Sequence, residues 1–192
     1  MKYRFLSISL SIFLFVSLMA CGTSQKQDIQ QKIANTSKHF APDGRVGLFD
    51  VEVKSNNGEW ILKGETNLPQ AKSALIDSLS AMDVTTVDSI NVLPEDGLEE
   101  KTLGIINNSV ANLRSRPSHP AQLVTQATLG MPVKVLKKEG SWYMVQTPDD
   151  YLSWVDYGGI HQMSKDEYEE WKSADKIIYL ETNGYAYEEP NK

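Results

Sequence analysis

The sequence predicts an α+β spacer domain followed by an all-β small barrel, and three observations carry that division. Between residues 49 and 93 the apolar residues recur first at every second position, then at intervals of three and four, then again at every second position, which reads as strand, strand, helix, strand. The stretch Pro94-Glu95-Asp96-Gly97-Leu98-Glu99-Glu100-Lys101 then interrupts the pattern with polar, acidic residues bounded by proline and glycine, and marks a domain boundary. Beyond it, short alternating runs recur roughly every 8–12 residues with turn residues between them, the texture of a small barrel. A length of 192 residues accommodates these two units and little more. With one Cys, 12 Gly and 8 Pro, the composition excludes a disulfide scaffold and collagen. An excess of 25 acidic over 19 basic residues argues against a nucleic-acid partner, which would need clustered positive charge.

Residues 1–20 place Lys2 and Arg4 ahead of an uncharged run from Phe5 to Ala20, the form of a signal peptide. The run falls short of the roughly 20 apolar residues of a permanent span, and serines at 7, 9, 11 and 17 dilute it. Leu18-Met19-Ala20-Cys21 resembles a lipobox, which implies acyl chains on Cys21, export, and an anchor in a bacterial envelope membrane, at the cell surface or in the periplasm. Loss of residues 1–20 leaves 17 Lys and Arg against 25 Asp and Glu, and no second cysteine is available for an intrachain disulfide. Residues 21–39 are polar and rich in Gln and Ser, a tether running into a short helix that carries Ile29 and Ile33.

The α+β unit, 40–96, opens with Phe49-Asp50-Val51-Glu52-Val53-Lys54, a half-buried strand. Ser55-Asn56-Asn57-Gly58 turns it into Trp60-Ile61-Leu62, and the two form a hairpin. Pro69 starts an amphipathic helix with Ala71, Ala74, Leu75, Leu79 and Met82, and valine-rich strand sequence follows through Val84-Thr85-Thr86-Val87 and Ser89 to Leu93. This order, with Gly64 after the Ile61-Leu62 pair, is similar to the small BON-type domain of bacterial envelope proteins; a generic α+β spacer has the same pattern.

The barrel, 102–163, is expected to draw strands from Thr102–Val110, Met131–Leu136, Ser141–Gln146 and Tyr151–Asp156. Within it Asn112-Leu113-Arg114 leads to Pro117, Gly130 precedes Val133-Lys134-Val135-Leu136, and Gly140-x-Trp142-Tyr143-x-Val145 and Tyr151-x-x-Trp154-Val155 follow. These features resemble the bacterial SH3 domain, and Pro117-x-His119 with Leu123-Val124-Thr125-Gln126 resembles the copy that precedes the catalytic domain of NlpC-type cysteine peptidases. The resemblance implies binding of peptidoglycan stem peptide, with a catalytic domain, specific for γ-D-glutamyl-diamino acid bonds, that this chain lacks. Trp142 and Trp154 are expected to fill the barrel. Tyr143, Tyr151 and Tyr157, on or beside turns, are the candidate contact residues; the resemblance places the ligand-holding tyrosine at Tyr151 or Tyr157. It puts the family's acidic ligand residue where this chain has Gln122, a neutral amide.

Residues 164–176 read as a capped acidic surface helix, and 177–192 as the start of a second SH3-like copy, because Ala186 to Asn191 repeats the layout of Leu113 to Ser118. A catalytic site is not expected: the one cysteine precedes the folded part, and His39, His119 and His161 form neither a pair nor a ligand spacing. Neither a metal nor another cofactor is expected. The function so indicated is a non-catalytic envelope lipoprotein that recognises stem peptide; the alternative is a stand-alone adaptor that binds other envelope proteins.

Overall fold

A computed structural model describes residues 25–177 and Leu180. The signal peptide, Cys21 and the second SH3-like copy, apart from Ile177 and Leu180, lie outside the described residues.

The chain is helical over 25–40 (α1), and this helix belongs to the α+β unit. Ile29 is completely buried among Val53, Leu62, Leu75, Leu79, Val84 and Ile90, and Ile33 packs one turn further on. Trp60 Nε1 donates to Gln25 Oε1 at 3.0 Å. The unit therefore reaches back past residue 40, into sequence read as tether. An apolar stripe of two isoleucines is too narrow to announce a core helix unless its partner surface is known.

β1 (Phe49–Asn56) and β2 (Glu59–Thr66) form the expected hairpin, and β2 pairs in parallel with β3 (Thr86–Val92) after a crossover through α2 (Pro69–Ser80), giving the sheet order β1-β2-β3. Pro69 opens α2, and Ala71, Leu75 and Leu79 bury its inner face. Met82, expected on that face, lies beyond the helix and is exposed. Gly64 has φ +144°, and a Cβ there would collide with the Asp50 carbonyl oxygen on β1, so the close approach of the two strands requires glycine.

The barrel sheet runs β10-β4-β7-β8-β9-β5-β6, built from β4 (Leu103–Ile106), β5 (Val110–Arg114), β6 (Leu123–Thr128), β7 (Pro132–Glu139), β8 (Trp142–Gln146), β9 (Leu152–Asp156) and β10 (Ile160–Met163). The stretch expected as one strand, 102–110, is β4 and the corner into β5, while β5, β6 and β10 are additional. Main-chain bonds from Gly130 N to Ile106 O (2.8 Å) and from Ile106 N to Met131 O (3.0 Å) tie the β6–β7 turn to β4 and bring the barrel round on itself. Its core holds Ile106, Leu113, Val133, Val135, Val145, Val155 and Ile160. Leu98, from the boundary stretch, is 5% exposed and belongs to this core too. After β10, α3 (Lys165–Ser173) starts with a complete capping box between Ser164 and Glu167, as its sequence predicts.

The two units are joined by more than chain continuity. Glu95 N donates to Leu136 O at 2.9 Å, and Glu95 Oε1 accepts from Lys138 N at 2.7 Å. Lys137 Nζ meets Glu65 Oε1 at 2.7 Å, and Leu152 N donates to Arg45 O at 2.7 Å. The α+β unit thus lies against β7, β8 and the start of β9.

Candidate functional site

Neighbouring side chains on a strand point to opposite faces, so the core residues fix which way their neighbours look. On β8 Val145 lies in the barrel core with Tyr143 against it, and on β9 Val155 does the same, which turns Trp142, Met144, Trp154 and Asp156 outward. The register agrees, pairing Trp142 with Asp156 and Met144 with Trp154. The tryptophans are buried, at 7% and 6% exposure, yet neither fills the barrel. Trp154 lies beneath Lys137, whose Nζ is 5.4 Å from the ring centroid and bonded to Glu65 of the α+β unit. Trp142 is covered by the loop between β5 and β6.

That loop is pinned by its own hydrogen bonds. Ser115 N donates to Gln122 O at 2.9 Å, Ala121 N to Ser118 O at 3.0 Å, and Arg114 Nη1 to Ala121 O at 2.8 Å. They hold the His119 ring edge-on to Trp142, with centroids 4.9 Å apart. On the facing side Asp156 caps the 3₁₀ turn Tyr157–Gly159, accepting from Gly158 N at 2.9 Å, and its other oxygen stands 3.7 Å from His119 Nε2. Gly159 forms the floor: a Cβ there would meet Val155 Cγ2 at 3.0 Å and Ala111 Cβ at 3.4 Å.

The result is an open groove of about 330 Å³ between β5 and β9, with Arg114, His119, Trp142, Asp156 and Asn112 on its walls. It combines a cation, an anion, an indole and amide groups on one concave surface, the mixture that small polar ligands use. Residues 109–161, which contain all five, match the family model for the bacterial SH3 domain. This segment is a bacterial SH3 domain. Such domains commonly bind peptidoglycan and the cell wall. No curated protein matches the chain.

The SH3 domain does not gather the expected contact residues into one place. Tyr143 is half-buried against the barrel core, with Lys138 Nζ 5.6 Å from its ring centroid. Tyr151 is half-buried beside the α+β unit, under the Arg45 guanidinium at 5.9 Å. Tyr157 is 66% exposed in the 3₁₀ turn, between the groove-lining residues Asp156 and Gly158 but not itself on the groove wall. Tyr151 and Tyr157 stand at opposite ends of β9, about 20 Å apart at the usual rise of a strand, so one small ligand cannot touch both. Gln122 is exposed and contributes its carbonyl to the loop hairpin. Sequence reasoning missed Arg114, His119 and Asp156 as a group. The usable signal was a strand arginine beside the Pro117-Ser118-His119-Pro120 turn, but Asp156 on the same groove lies 42 positions on, and the β5–β9 pairing of Arg114 with Trp154 is what brings the two strands together. Among the described residues no group of three or more His, Cys, Asp or Glu could hold a metal ion.

Proposed function

We propose that this chain is a lipid-anchored protein of the bacterial cell envelope that recognises peptidoglycan stem peptide in the β5–β9 groove. It acts as a non-catalytic positioning unit for a γ-D-glutamyl-diamino acid endopeptidase of the NlpC kind. The observation that carries the reading is the division of the SH3 domain's outward surface. The α+β unit lies against β7 and β8, while the groove, with its charges and the Trp142 indole, stays open. Stem peptides offer carboxylates, amines and small apolar side chains, and the groove has a partner for each. The acyl chains expected on Cys21 would hold the domain at a membrane beside its ligand. The expected localisation is the envelope, exported.

Retention of the full chain, purified in detergent, on isolated peptidoglycan sacculi tests the reading. Wild type should be retained. Tyr157→Ala should weaken retention by roughly tenfold, the scale of an interfacial tyrosine. Tyr151→Ala should do so less, since its ring is engaged with Arg45. Absence of retention, or cleavage of stem peptide by the chain alone, would refute it. Cys21→Ala should release the protein from the membrane fraction.

A further inference from the structure

The three-stranded sheet of the α+β unit treats its two free edges differently. On β3 the main-chain groups of Ile90 are taken by side chains. Lys72 Nζ donates to Ile90 O at 2.7 Å, Asp88 Oδ1 accepts from Ile90 N at 3.0 Å, and Lys72 and Asp88 are themselves paired at 2.8 Å. β1, at the other edge, has no such cover among the described residues. Asn67 N donates to Leu48 O at 3.3 Å, and along the unbroken register this phase directs the peptides of Asp50, Glu52 and Lys54 to β2 and those of Val51, Val53 and Ser55 to the free edge. The strand runs for eight residues without the proline or bulge that commonly blunts an edge. Beside it, α1 and β1 border a groove of about 480 Å³, with Ile33 and Ala34 on the helix and Phe49 and Val51 on the strand. An edge with bare peptides next to an apolar groove is the form that takes up a further strand.

The charges of β1 select which strand fits. Antiparallel pairing of two copies sets outward peptides opposite each other, so the two-fold axis passes through a residue position. Centred on Val51, Asp50 would twice face the second copy's Glu52; centred on Glu52 or Lys54, that residue would face its own counterpart. Centred on Val53, each Glu52 faces the second copy's Lys54, and no like charges are opposed. Glu52 and Lys54 already touch along the strand at 2.8 Å, so the four charges alternate in a ring on the exposed side of the sheet. We propose that two copies of this chain join edge to edge through β1, antiparallel and centred on Val53, making one six-stranded sheet of two α+β units.

Sedimentation equilibrium of the full chain in density-matched detergent tests this. Wild type should show a concentration-dependent dimer. Glu52→Lys alone and Lys54→Glu alone should each weaken it at least tenfold, since two attractive pairs become two repulsive ones. An equimolar mixture of those two variants should dimerise as a pair of unlike chains, and the double variant should dimerise like wild type. Ser55→Pro, which removes an outward N–H and no bond to β2, should weaken the dimer without touching a charge. Hydrogen exchange on wild type needs no variant to fold: the Val51, Val53 and Ser55 amides should slow as protein concentration rises. A wild type that is monomeric throughout, or a dimer with no slowing at these amides, overturns the proposal. So does a dimer indifferent to the charge changes and to Ser55→Pro, the mark of chains sharing a micelle. Single variants that weaken the dimer with no recovery in the mixture or the double variant overturn it as well.

Discussion

Trp142 and Trp154 stand on adjacent strands, face the same way out of the barrel and are almost equally buried, but they are buried by different things. Trp154 lies under a lysine tied to another unit of the chain; Trp142 lies under a histidine from a local loop, at the edge of an open groove. The outward side of one small sheet therefore does two jobs, a seam at one end and a binding wall at the other. Degree of burial does not tell them apart, and the identity of the covering group does.

The largest effect is expected from attacking the seam at its base. Gly64→Ala would drive a Cβ into the β1 backbone beside Glu65, and should cost about 3 kcal/mol or more in chemical denaturation while the Trp142 indole signal stays in place. A groove signal that collapses with the α+β unit would break the distinction between the two ends. Next, Trp154→Ala should remove roughly 3 kcal/mol of stability and leave retention on sacculi intact, whereas Trp142→Ala should abolish retention at a smaller cost in stability. Glu65→Gln, which strands Lys137 above Trp154, should cost about 1–2 kcal/mol, and a double-mutant cycle with Lys137→Met should return most of it as coupling.

The smallest effect concerns acid. Asp43 is lowered from the ordinary 3.8 to about 2, chiefly by its side-chain hydrogen bonds with Arg45 and then by the Arg45 backbone N–H. Because the folded value lies below the unfolded one, this contribution to stability is present above about pH 4 and fades as pH falls towards 2. A carboxyl-carbon NMR titration should place the Asp43 midpoint near 2, and Arg45→Ala should return it towards 3.8.

Sequence pattern alone located β1, β2, α2, β7, β8 and β9, since each has a periodic apolar face and a turn signal at its end. It did not show which side of β8 and β9 is inside. In Trp142-Tyr143-Met144-Val145 both alternating sets are apolar, because one set meets the core and the other meets the α+β unit or the loop, and alternation without a polar side carries no sign. The exposed turn position of Tyr157 was within reach of turn reasoning. The groove was not, since Arg114 and Asp156 become neighbours only through long-range pairing. β10 escaped notice because Ile160-His161-Gln162-Met163 is too short to establish a period.

The acidic stretch from Pro94 to Lys101 looks like the natural place to divide the molecule with a protease or a truncation, and it is a poor one. A barrel begun at residue 102 would lose Leu98 from its interior and the Glu95 bonds from the edge of β7. What reads as slack between two beads is chain already committed to the second bead, so the barrel's true beginning lies before the punctuation that seems to announce it.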